Sequence, residues 1–250
     1  MRVFITGGSG GIGFAVASAY AADGHEVILA DINLTLAQEK AAELVAAGGN
    51  ASAMLLDLTQ QQSIEQAAAA AGAVDILVNN AGIQHVARLD EFPEHKWQQL
   101  LQVMLTGPAM LSKALLPGMR SRGFGRIINV GSIHALIASP FKSAYVAAKH
   151  GLLGFSKVVA LENADFDFTI NTICPAYVRT PLVEAQIAAQ CKEHQLSETE
   201  VIEKIMLAPM PQKAFIGVDE IAATAMFLTA PAARHITAQT LVLDGGWTAR

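Results

Sequence analysis

Thr6-Gly7-Gly8-Ser9-Gly10-Gly11-Ile12-Gly13 follows the short apolar run Val3–Thr6 and leads straight into a helical pattern. Glycines at these spacings permit a tight turn and bring backbone N–H groups close to a pyrophosphate, which a helix N-terminus also attracts. A glycine cluster alone is a weak signal. Its place between strand and helix strengthens it, and so does Asp31, 20 residues after Gly11 at the end of the run Val27–Asp31. A carboxylate there accepts both ribose hydroxyls of NAD and repels the 2′-phosphate of NADP. The glycine loop holds no Arg or Lys, and none directly follows Asp31, so the pattern favours NAD.

Outward from this loop, short β-rich runs alternate with helical patterns. The candidate strands are Val3–Thr6, Val27–Asp31, Ala53–Asp57, Ile76–Asn79, Arg126–Val130, Thr169–Cys174 and Thr240–Leu243, with helix formers between them at Leu34–Ala47 and Trp97–Leu116. Several strands are apolar without alternation, as strands covered on both faces are. Such repetition predicts an α/β fold, a Rossmann-type doubly wound parallel sheet of about seven strands in a single domain, 1–250. Gln60–Ala71 is Ala- and Gln-rich and reads as a plain surface helix. The stretch 182–215, between the last two strands, is expected to form a substrate lid at the ligand-binding edge of the sheet.

Composition narrows the function. The chain has 250 residues, 52% hydrophobic and 16% charged, with net charge −5. No basic run suggests nucleic acid as a partner. No window approaches 18 uninterrupted apolar residues and MRVFITGG lacks a signal-peptide core, so no membrane partner and a cytoplasmic location are expected. Cys174 and Cys191 form neither a CxxC nor a metal spacing, so no metal is expected.

Tyr145 and Lys149 stand four apart in SAYVAAKHG, on one face of a predicted helix, and Ser132 follows the strand Arg126–Val130. A phenol of pKa about 10 is a poor base at neutral pH, but a neighbouring ammonium favours the phenolate. A serine hydroxyl there can hold a substrate oxygen. With TGGSGGIG, Asp57, Asn79-Asn80-Ala81-Gly82 and Pro175, these residues make the chain resemble the short-chain dehydrogenase/reductase family over essentially its full length. The resemblance implies hydride transfer between a carbon and a nicotinamide. Tyr145 would exchange the proton, Lys149 would lower the Tyr pKa and hold the nicotinamide ribose, and Ser132 would hold the substrate oxygen. It implies a cofactor set of Gly7, Ser9, Gly10, Gly11, Ile12, Gly13, Asp31, Asp57, Leu58, Asn79, Ala81, Gly82, Tyr145, Lys149, Pro175 and Val178.

Within that family NNAGIQHVARLDEFP, GRIINVGSIHAL, KSAYVAAKHG and LDGGW are similar to segments of the bacterial (R)-3-hydroxybutyrate dehydrogenases. This implies that Gln84, His134, Lys142 and Gln186 bind a substrate carboxylate, with Tyr177 as an aromatic wall where those enzymes carry tryptophan. A small anionic hydroxy acid needs such a set: one cation and several N–H donors. Another substrate remains open, namely a 3-oxoacyl thioester, a sugar or a polyol, as does a non-catalytic NAD-binding role. Two further departures from the family are Ala176, for a glycine, and Met104, for an asparagine whose helix distortion lets a main-chain carbonyl hold a water. Pro108 follows Met104 at i+4 and has no N–H, so it is expected to open that turn instead. The helix Tyr145–Glu162 is apolar or small nearly all round, which predicts a second partner, and the resemblance implies that this is a homotetramer.

Overall fold

In the computed structural model, which describes residues 1–249, the first strand–turn–helix is β1 (Arg2–Thr6) and α1 (Gly11–Ala22). Then come β2 (Glu26–Asp31), α2 (Leu34–Ala46), β3 (Asn50–Leu55), α3 (Gln61–Ala71) and β4 (Ile76–Asn79). The second half carries α4 (Glu94–Leu101), a π-turn (Gln102–Thr106), α5 (Gly107–Arg122), β5 (Phe124–Val130), α6 (Ser143–Glu162) and β6 (Asp167–Pro175). It ends with α7 (Pro181–His194), α8 (Glu198–Val201), a second π-turn (Ile202–Met206), α9 (Val218–Thr229) and β7 (Thr240–Leu243).

The seven strands lie in one parallel sheet of order β3-β2-β1-β4-β5-β6-β7. The order reverses between β1 and β4, so the crevice at their C-terminal ends is where such a sheet binds a ligand. Alternate residues of each strand enter opposite layers. Val3 and Ile5 of β1 pack in one core with Val16 and Tyr20 of α1 and Ile221 and Leu228 of α9. Phe4 faces the other, with Leu77, Leu111, Met119 and Ile127. Tyr20 is fully buried, and its hydroxyl reaches Thr229 Oγ1 at 2.8 Å, bridging α1 to α9.

Two elements differ from expectation. β3 spans Asn50–Leu55 rather than Ala53–Asp57. It is an edge strand with alternating exposure, so its polar start at Asn50 and Ser52 carries no apolar signal, and Asp57 falls in the following loop. The helix expected over 97–116 starts earlier and is interrupted by the π-turn just ahead of Pro108. There the Gly107 N–H reaches back to the Gln102 carbonyl, and Pro108 has no N–H to continue the ladder. The run 94–122 is long and apolar enough by composition to cross a membrane, but here it packs against α3, α6 and β5.

Candidate active site

The glycine loop closes one end of a cleft of about 530 Å³ at the switch point. Gly13 sits where a side chain cannot. A Cβ there would lie 2.1 Å from the Gly7 carbonyl oxygen and 2.5 Å from Asn80 Nδ2. That amide donates to the carbonyls of Thr6 and Gly7, each at 3.0 Å, and so holds the loop against β4. A Cβ on Gly10, by contrast, would meet nothing within 4 Å. The floor of the loop is therefore packed and its rim left open, as close approach of a pyrophosphate requires.

Asp31 lines the same cleft, its carboxylate already oriented. Ser9 Oγ donates to Oδ2 at 2.5 Å and the Asn33 N–H to Oδ1 at 3.0 Å. Gly7, Gly11, Ile12, Asp57, Leu58, Ala81, Gly82, Pro175 and Val178 complete the wall. Lys149 is the one cation among the described residues that line it. Two residues expected in this set stand behind it. Gly13 is buried under the loop, and Asn79 is 3% exposed. Asn79 Nδ2 donates to Asn129 Oδ1 at 2.9 Å, and Asn129 Nδ2 donates to Ser156 Oγ at 2.9 Å, tying β4, β5 and α6 together. Asn80, its neighbour, is the asparagine that reaches the cleft.

At the far end of the cleft Ser132, Tyr145 and Lys149 converge. Ser132 and Tyr145 line this end of the cleft side by side. Lys149 Nζ lies 5.7 Å from the Tyr145 ring centroid and donates to the Val130 carbonyl at 2.7 Å. Burial pulls the Lys149 ammonium down to about 8. It also raises the Tyr145 phenol, opposed by the hydrogen bond from Ser132. The ordering of these two effects differs from the expected lowering of the phenol by Lys149, because removal from water acts on both groups first.

Beside these three opens a smaller cavity of about 70 Å³. It is lined by all five expected substrate residues, Gln84, His134, Lys142, Tyr177 and Gln186, and by Ser132 and Tyr145. Lys142 caps the start of α6, with Nζ 5.9 Å from the Tyr177 ring centroid. Burial lowers its pKa. His134 is 4% exposed, and burial first, then Lys142 and His150, hold it down to about 4, so the ring is neutral near pH 7. Two neighbours were not expected. Trp247 stacks on Tyr177 at 5.9 Å and meets the His134 ring edge-on at 6.4 Å. Ser139 Oγ lies 2.7 Å from His134 Nε2. Trp247 stood in the LDGGW segment but carried no sign of its direction, and a loop serine gives no signal at all.

Residues 1–190 match the family model described as short chain dehydrogenase. The chain belongs to the short-chain dehydrogenase family. Like other members of that family it is an oxidoreductase, and its sheet and cleft have the family's Rossmann form. It is 41% identical to the D-beta-hydroxybutyrate dehydrogenase of Rhizobium meliloti, covering 98% of both chains. It is 37% identical to a 3-oxoacyl-acyl-carrier-protein reductase of Vibrio cholerae, covering 97% of this chain and 95% of that one. A crystal structure of an actinorhodin polyketide ketoreductase with NADPH superposes with a TM-score of 0.95 at 30% identity, covering 100% of this short-chain dehydrogenase and 97% of that chain.

Proposed function

We propose that this chain oxidises (R)-3-hydroxybutyrate, or a close small 3-hydroxy acid, to the 3-oxo acid with NAD, Tyr145 acting as acid and base. The observation that carries the reading is the small cavity. One half-buried cation, Lys142, and the side chains of Gln84, His134 and Gln186 surround a space that opens on Ser132 and Tyr145. A carboxylate placed there would favour the charged form of Lys142, against the effect of burial. The volume of about 70 Å³ supports a small acid over a long thioester. The resemblance to the Rhizobium meliloti enzyme supports the same choice.

When bound, the oxidised nicotinamide supplies the hydride acceptor. Asp31 would hold the adenosine ribose hydroxyls, and its charge, with no cation nearby in the cleft wall, supports NAD rather than NADP. Ser132 would fix the substrate hydroxyl by a hydrogen bond. Tyr145 would take the hydroxyl proton as the phenolate. Lys149 would keep that phenolate favourable and hold the nicotinamide ribose. The segment 182–215 would act as the lid, since Val183 and Gln186 of α7 enter the cavity while Arg179 bridges Glu184 and Glu198 at 2.5 and 3.1 Å. We also infer a homotetramer. Val158 and Leu161 on the outer face of α6 are 54% and 80% exposed, and Phe227 of α9 and Val242 of β7 are apolar and exposed as well.

The test is NADH formation across 3-hydroxy acids, their thioesters, sugars and polyols, with wild type and Lys142→Ala. A charge-assisted bond is worth ~1.5–3 kcal/mol, or roughly 10–150-fold in KM. Lys142→Ala should raise KM by that factor for the hydroxy acid and barely for an uncharged alcohol of the same shape. Equal losses on both, or preference for a thioester or polyol, would refute the reading.

A further inference from the structure

A line of neighbouring polar side chains leads from Ser132 into the loop between β5 and α6. Tyr145 and Ser132 line both cavities together. Ser132 Oγ lies 3.4 Å from His134 Nδ1, and the His134 backbone N–H donates to the same oxygen at 3.2 Å, which fixes its position. The other ring nitrogen, Nε2, meets Ser139 Oγ at 2.7 Å. His134 is buried, whereas Ser139 is half-exposed between the exposed residues Ala138 and Pro140. The line therefore runs from the half-buried Tyr145 to the surface through groups that both accept and donate.

We propose that Ser132, His134 and Ser139 form the path by which the proton taken up at Tyr145 reaches solvent. This rests on Tyr145 being the acid and base. The Tyr145 proton moves to Ser132 Oγ as the Ser132 proton moves to His134 Nδ1. The Nε2 proton moves to Ser139 Oγ, and the Ser139 proton goes to water. One proton enters and one leaves, and no charge remains on the chain. The imidazole must start neutral, with the proton on Nε2. Its surroundings favour this: Lys142 and His150 are the charged or titratable groups acting on it, and the Tyr145 and Trp247 rings flank it. Lys149 Nζ donates to the Val130 carbonyl, and the π-turn around Met104 is the rival exit. His134 lines the substrate cavity, and both its ring nitrogens face hydroxyls, Nδ1 that of Ser132 and Nε2 that of Ser139. Ser139 is the last group of the path before water.

The experiment compares wild type, Ser139→Ala, Ser139→Thr, Pro108→Ala and Tyr145→Phe, using the best alcohol of the panel. Ser139→Ala should lower kcat on the order of tenfold, below the ~10²–10⁴-fold of a group that meets substrate directly. It should leave KM within about twofold, enlarge the solvent deuterium isotope effect on kcat, and recover in concentrated imidazole buffer. Ser139→Thr, which keeps the hydroxyl, should behave as wild type. Nitrogen-15 spectra of the cofactor-free protein give a readout independent of turnover. His134 should be neutral at pH 7, and Ser139→Ala should shift its tautomer balance. Wild-type kcat and isotope effect in Ser139→Ala overturn the proposal, as does an imidazolium at His134 at pH 7. Loss in Pro108→Ala with normal behaviour in Ser139→Ala would move the exit to the π-turn and overturn the proposal equally. Full activity in Tyr145→Phe would instead overturn the functional reading, and the path with it.

Discussion

Replacing Gly13 by alanine puts a methyl group 2.1 Å from a main-chain oxygen, well inside the 3.0 Å that real Cβ atoms keep. The oxygen belongs to Gly7, whose own N–H is held by the Ala30 carbonyl at 2.8 Å. The Asn80 amide, 2.5 Å from the new methyl, cannot stay either. Something must move by roughly 1 Å, and the bonds from Asn80 to Thr6 and Gly7 are the first to break. Overpacking of a tight core costs ~1–3 kcal/mol and each lost hydrogen bond ~1 kcal/mol. Gly13→Ala should therefore lose about 2–4 kcal/mol, which for a chain of this size lowers Tm by roughly 5–15 °C. Cofactor affinity should fall with it, since the loop that approaches the pyrophosphate is displaced. Gly10→Ala is the matched comparison. Its Cβ enters open space at the rim, so Tm should change by no more than about 2 °C, within the ~1 kcal/mol of an N-cap change, while NAD binding weakens. Thermal unfolding and fluorescence titration with NAD measure both quantities on each variant. A Gly13→Ala protein that melts with wild type would refute the packing argument, and a Gly10→Ala protein that binds NAD normally would refute the cofactor's approach over that rim.

Asp31→Ala combined with Ile32→Arg should weaken NAD binding and improve NADP binding, each by about tenfold or more, measured as kcat/KM with the two cofactors; a wild-type protein that prefers NADP would sink the reading of Asp31 before any mutation. His134 gives a pH prediction. Its folded pKa of about 4 lies below the ordinary 6.5, so between those values the unfolded chain binds more protons and stability rises with pH. Acidification from 6.5 toward 4 should cost up to about 3 kcal/mol through this residue, a loss that His134→Gln should escape. Urea midpoints at pH 7 and pH 4.5 for both proteins check it, and parallel losses would place the acid sensitivity elsewhere.

Much of this was legible in the residues because local chemistry and global fold ask for the same things. The glycine loop, Asp31 and the Tyr145–Lys149 spacing each demand a particular place on a doubly wound sheet, and the sheet supplies it. What was not legible depends on direction and depth. Asn79 and Asn80 are adjacent at the end of a strand, so their side chains point to opposite sides, and only the packing reveals that Asn80 meets the cleft and Asn79 the buried ladder to Asn129 and Ser156. The raised phenol of Tyr145 reflects burial, which no four-residue spacing encodes. The start of β3 was hidden because an edge strand needs no apolar run, and the π-turn because Pro108 marks a break in a helix without saying which ladder precedes it.

The bridge between Tyr20 and Thr229 joins positions 209 residues apart. During synthesis the glycine loop and its helix leave the ribosome about 200 residues ahead of the helix that covers their apolar flank. A nascent chain halted before residue 229 would carry the glycine loop, Tyr145 and Lys149 with Tyr20 and Val16 exposed to water. Such an intermediate should be sensitive to proteolysis and dependent on chaperones. Its dinucleotide site should mature only once α9 has emerged, so cofactor capture would follow synthesis of that helix instead of guiding it.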